Sequence, residues 1–110
     1  MTQSEEIVKR LKVAILPWTS HMTEKKMFGG YCLLFKGKMC IGETKERLMV
    51  RVKPDKMQET LALPHVTPMD FTGKPMKESV FVTQEGFKTE AQLQYFIELG
   101  IAHAEWKLSQ

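Results

Sequence analysis

At 110 residues the chain is long enough for one domain with a single core, burying roughly two-thirds of the surface an extended chain exposes. Its 43% hydrophobic and 26% charged content are ordinary globular values, which exclude disordered, collagen-like and membrane-embedded classes. The formal net charge of +3 hides an asymmetry: between Lys25 and Lys77 there are 11 Lys or Arg against five acids, and from Glu78 onward five acids face two bases.

The longest apolar run falls far short of the ~20 residues a membrane helix needs. The N-terminal MTQSEEIVKR places glutamates where a signal peptide would carry positive charge, so a cytoplasmic protein is expected. Thr2 and Glu5 have capping-box spacing, which starts a helix at once. Ile7, Val8, Leu11, Ala14 and Ile15 then fall on one helical stripe until Pro17 ends it. Trp18 to Met22 reads as a link, and His21 within it as a surface residue.

The stretch from Glu24 to Lys53 reads as a sheet. Lys26 to Phe28 forms a short strand interrupted by Gly29 and Gly30, Tyr31 to Phe35 resumes it, Gly37 reverses the chain, and Met39 to Gly42 returns antiparallel. Leu48 to Val52 alternates, with Leu48, Val50 and Val52 on one face and Met49 and Arg51 on the other, the period of a half-buried strand. A second, short helix follows, with Asp55 as its cap and Gln58 at the reciprocal position, ending by Leu63 because Pro64 disfavours helical geometry before it.

From Pro64 to Lys77, three prolines and a glycine in fourteen residues exclude regular helix. The stretch reads as an extended crossing segment pinned by Val66, Met69, Phe71 and Met76. Ser79 to Thr83 is the last strand, rich in β-branched and aromatic residues. Thr89 and Gln92 make another capping box for a closing helix with a core stripe of Leu93, Phe96, Ile97, Gly100, Ile101, Ala104 and Leu108. Gly100 costs about 1 kcal/mol of helix propensity relative to alanine, so it marks the close approach of another backbone. Tyr95, Leu99, Ala102 and Trp106 lie off that stripe and give the helix a second apolar side.

The whole is an α+β domain, residues 1–110: an antiparallel sheet of about five strands, N-terminal and C-terminal helices, and a short helix between the fourth and fifth strands. Cys32 and Cys40 stand on two arms of one hairpin inside apolar runs and read as buried free thiols. Their spacing and the scattered histidines offer no zinc motif, so no metal and no cofactor is expected.

The ordered string Met27-Phe28-Gly29-Gly30-Tyr31, then Gly37-Lys38-Met39, then Arg47-Leu48, then Pro68 to Lys77 as PMDFTGKPMK, resembles the N-terminal domain of the TfoX/Sxy family of bacterial competence regulators. The resemblance runs from about Glu6 to Ala104. It implies an α+β domain of cytoplasmic, bacterial origin, associated with regulation of DNA-uptake competence, and it supplies no catalytic residues. Full-length regulators carry a second, helical domain, so a stand-alone domain is expected here. Its motif residues are Met27, Phe28, Gly29, Gly30, Gly37, Phe71, Gly73 and Pro75.

The paired glycines mark a bulge or a close backbone approach, since a phosphate-cradling loop would need its glycines at a strand-to-helix turn. Ser20 and Ser79 lack a nucleophile context and the cysteines lack a neighbouring base, which argues against an enzyme. The function expected is a non-enzymatic regulatory or protein-interaction domain whose partner is unidentified, with a second copy of the chain as one candidate. The alternative is weak, sequence-independent nucleic-acid binding through Lys25, Lys26, Lys36, Lys38, Arg51 and Lys53 on a basic sheet and hairpin face.

Overall fold

The structure, a computed structural model, describes residues 3–27, 29–71 and 74–110, with the backbone alone described at 3, 27, 70, 71 and 74–77. The expected cap residue Thr2 and the motif residues Phe28 and Gly73 lie outside the described residues, as do the side chains of Met27, Phe71, Pro75 and Met76.

Helix α1 (Gln3–Ala14) opens the chain, and Ile7, Leu11 and the following Ile15 are its buried face. The link after it is a 3₁₀ helix over Leu16–His21 with Pro17 in its first turn. Strand β1 (Met22–Met27) therefore begins earlier than the sequence suggests. It was hard to read because it is an edge strand whose Thr23, Glu24, Lys25 and Lys26 are all exposed, the charged composition by which edges resist further pairing. The glycine pair does not interrupt one strand. It turns β1 into β2 (Gly30–Phe35), with Gly29 at φ +71° and Met27 paired to Gly30.

Strands β3 (Lys38–Thr44) and β4 (Arg47–Arg51) continue the meander through two-residue turns, Lys36-Gly37 and Lys45-Glu46, both residues of each at positive φ. That left-handed geometry matches the strand twist and keeps the hairpins tight. The register of β2 on β3 slips by one at Leu33/Leu34, so Cys40 is the extra residue of a bulge.

The short helix α2 (Met57–Leu61) enters through a 3₁₀ turn over Pro54–Lys56. Asp55 is inside that turn and caps nothing: Lys53 and Lys56 hold the two N-cap positions and neither makes a side-chain cap bond. Proline at the first position presets the turn without a polar cap.

The Pro64 to Lys77 stretch corrects the expected strand count. It is a hairpin, β5 (Val66–Phe71) and β6 (Lys74–Val82), which makes six strands among the described residues, in the order β1-β2-β3-β4-β6-β5 and antiparallel throughout. Proline in a strand argues against a central position, and Pro68 indeed stands on the outer strand β5, where a missing N–H costs no ladder bond. Val66 and Met69 are buried, as their apolar character requires.

Helix α3 (Glu90–Leu108) lies across β3 and β4 and closes the main core with Leu93, Phe96, Ile97, Ile101 and Ala104. Its capping box is complete: Gln92 N–H donates to Thr89 Oγ1 at 3.1 Å and Thr89 N–H to Gln92 Oε1 at 3.0 Å. Leu108 departs from the expected stripe, 42% exposed in the final turn, while His103 is buried. The opposite face of the sheet holds a second cluster of Cys32, Met49, Met69 and Phe81. Strand β4 is thus buried on both faces at Met49, where alternation alone suggested one.

Candidate interaction surfaces

The six basic residues selected from the sequence do not form one face. Directly paired residues on neighbouring strands point to the same side of a sheet. Lys25 pairs with Cys32, which faces away from the helices, and Lys26 with Tyr31, which packs against the helix-side core, so the two lysines stand on opposite faces. Lys36 in the β2–β3 turn and Lys38 at the start of β3 stand at the far end of β2, both exposed. Arg51 is half-buried, and desolvation lowers its pKa against the opposing pull of Glu78. Lys53, also half-buried, follows β4.

What the fold does assemble is a groove of about 940 Å³ between α1 and the strand ends, and only Lys26 of the six lines it. Lys9 and Lys12 come from α1, and Lys45 from the β3–β4 turn. Sequence reading missed these three because their convergence is tertiary; the one local signal was Lys9 and Lys12 at a three-residue spacing on the polar side of α1.

The groove floor is built with care for polar groups. Glu43 is only 4% exposed, and its Oε2 accepts from Ser4 Oγ at 2.6 Å and from Glu46 N–H at 2.9 Å. Beside it, Tyr31 Oη donates to Glu24 Oε1 at 2.6 Å, while Lys12 reaches the same carboxylate at 3.6 Å and holds its ammonium 5.8 Å from the Tyr31 ring centre. Burial and then the Glu24 bond raise the Tyr31 pKa, so the phenol stays protonated. Gly30 is fixed sterically: a Cβ there would lie 2.0 Å from the Glu43 carbonyl oxygen. Gly29 needs its positive φ for the turn and faces open space.

A second surface follows the outward side of α3. Tyr95 is 46% exposed, Leu99 half-buried and Ala102 exposed, and they line a shallow concavity with Glu98. Across Tyr95 a cleft of about 500 Å³ opens, walled by Leu63, Pro64, Ala91 and Phe96 with Glu85 at its edge.

Beneath the other end of α3, the buried His103 bonds through Nε2 to Glu78 at 2.8 Å, and Lys107 reaches Glu78 at 3.5 Å. Desolvation lowers the His103 pKa, partly offset by Glu78, and the bond from His103 lowers that of Glu78. His103 Nδ1 and Ser79 Oγ have no partner among the described residues. The cysteines form no disulfide and are buried on opposite faces, Cys32 in the second cluster and Cys40 in the main core. Desolvation pushes Cys40 up to about 12.

Among the described residues no group of three or more His, Cys, Asp or Glu is placed to hold a metal ion, and no helix is long and apolar enough to cross a membrane. The family model of the TfoX N-terminal domain matches residues 15–104. No curated protein matches the chain.

Proposed function

The chain belongs to the TfoX N-terminal domain family, and from that premise we propose that it acts without catalysis, as a regulatory protein-interaction domain whose docking surface is the outward side of α3. The observation that carries this reading is the exposed Tyr95 between two apolar concavities, one against Leu99 and Ala102 and the other against Leu63 and Pro64. Aromatic side chains that are rigid and half-exposed beside a pocket are typical anchors of protein interfaces.

The rim favours a particular partner. Glu98 is exposed at the concavity beside Leu99, while Glu85 at the cleft is paired with Lys88 at 2.8 Å, so the segment best suited to the surface is apolar with a basic flank toward Glu98. A second copy is a poorer fit, because a two-fold pairing centred on Leu99 brings Glu98 of both copies together.

A photo-crosslinking amino acid placed at Tyr95 in the native cells tests the reading, with Lys38 as the control position. Adducts are expected from position 95 and not from 38, and their mass distinguishes a foreign partner from a second copy. Equal yield at both positions, or none at 95, would overturn the proposal.

A further inference from the structure

Four lysines from three separate elements meet at the groove beside α1: Lys9 and Lys12 from the helix, Lys26 from β1 and Lys45 from the β3–β4 turn. Like charges gathered on one concave wall repel unless something between them is negative. Three acids stand beside them and offset part of that charge, and one of these, Glu5, lines the same groove one helical turn before Lys9. Glu43 is turned into the floor by its bonds to Ser4 and Glu46, and Glu24 is shared between Tyr31 and Lys12. Lys26 and Lys45 are exposed and have no carboxylate partner among the described residues.

We propose that this groove binds a compact ligand carrying more than one phosphate group. Lysine ammonium groups bind phosphate as point charges and need no fixed fork geometry, so four of them on flexible stems suit a ligand with several anionic groups. The volume of about 940 Å³ is that of a small-molecule site. A nucleic-acid strand fits less well, since the basic track ends within the groove: Lys36 and Lys38 lie at the opposite end of the sheet and Lys25 on its other face. Lys9 and Lys12 also stand ahead of the residues matched by the family model, so this site does not follow from family membership. It is separate from the α3 surface and does not depend on it.

Amide-shift titration with sodium tripolyphosphate tests the site, on the wild type and on Lys26→Glu, Lys45→Glu and Lys38→Glu. All three are exposed, Lys26 on the edge strand β1, Lys45 in the β3–β4 turn and Lys38 at the start of β3, and each variant's own spectrum reports its fold. Saturable shifts are expected at Ser4 to Lys12, Gly29, Gly30 and Lys45, with Lys26→Glu and Lys45→Glu each weakening binding about tenfold and Lys38→Glu leaving it within about twofold. Oligothymidylate at equal phosphate concentration should bind no more tightly. No saturable shift, or equal loss in Lys38→Glu, would overturn the site; much tighter binding of the oligonucleotide, lost in the same two variants, would overturn the compact ligand.

Discussion

Gly100 shows how one side chain's absence sets the distance between a helix and a sheet. A Cβ at this position would stand 2.2 Å from the carbonyl oxygen of Cys40, the bulged residue of β3, and neither backbone can yield without moving its whole element. Alanine would gain about 1 kcal/mol in helix propensity. The overlap outweighs that gain, because forcing an atom into a packed core costs about 1–3 kcal/mol. Gly100→Ala should therefore lower the melting temperature, by roughly 4–8 °C per kcal/mol of net loss in a domain of this size; an unchanged or raised melting temperature would mean that α3 sits further from the sheet. His103 makes a second residue-scale prediction. Its folded pKa lies below the unfolded value of about 6.5, so the unfolded chain takes up the proton first and stability falls as pH drops below about 6.5. Glu78, also lowered, loses its contribution on further acidification below about 4.5. Thermal melts from neutral to mildly acidic pH should show the first loss in the wild type and a flatter profile in His103→Leu. Parallel profiles would assign it elsewhere.

Helix α3 is the element on which the main core closes. Truncation before Leu93 removes Leu93, Phe96, Ile97 and Ile101, all buried, each worth about 1.5–3 kcal/mol on full burial against a total stability of about 5–15 kcal/mol. The truncated chain should lose its cooperative melting transition, and a retained one would show that the core closes without α3. Less drastically, Thr89→Ala removes the cap acceptor of Gln92 N–H and should cost about 0.5–2 kcal/mol in chemical denaturation. Both the cap and the stripe were legible because a helix signals its ends and buried face within its own residues. The same local logic read β2 and β4, whose apolar periods are strong, and placed Gly100 against another backbone. It failed where the determinant is tertiary. β5 hides behind prolines that only an edge strand tolerates, β1 behind edge charges, and the α1 groove behind lysines separated by up to 36 positions in the chain. Leu108 shows the converse error, an apolar residue in the right phase that lies at the very end of α3.

Over the whole molecule, charge is divided between a basic segment from Lys25 to Lys77 and an acidic one from Glu78 to the C-terminus, and the fold decides what that division can do. Distributed over both faces and both ends of the sheet, the basic residues cannot meet a single phosphate track. The largest local group is the four lysines of the α1 groove, and Lys12 in that group already shares Glu24. If all four reached phosphates of duplex DNA, the logarithmic salt slope would be about −3.6, and the remaining terms would not hold a complex at physiological ionic strength. The acidic rim of α3 repels the backbone over a further part of the surface. Duplex binding should accordingly be weak, independent of sequence, no steeper in salt than about −3.6, and largely gone at physiological salt. Fluorescence anisotropy on two unrelated duplexes across a salt series measures all four properties. A steeper slope would require cations outside the groove to act together with those inside it, for which Lys25 on the other face and Lys36 and Lys38 at the far end of the sheet are badly placed. Tight binding to one duplex and not the other at physiological salt would make this domain a sequence reader, and the α3 surface would then no longer be its principal contact.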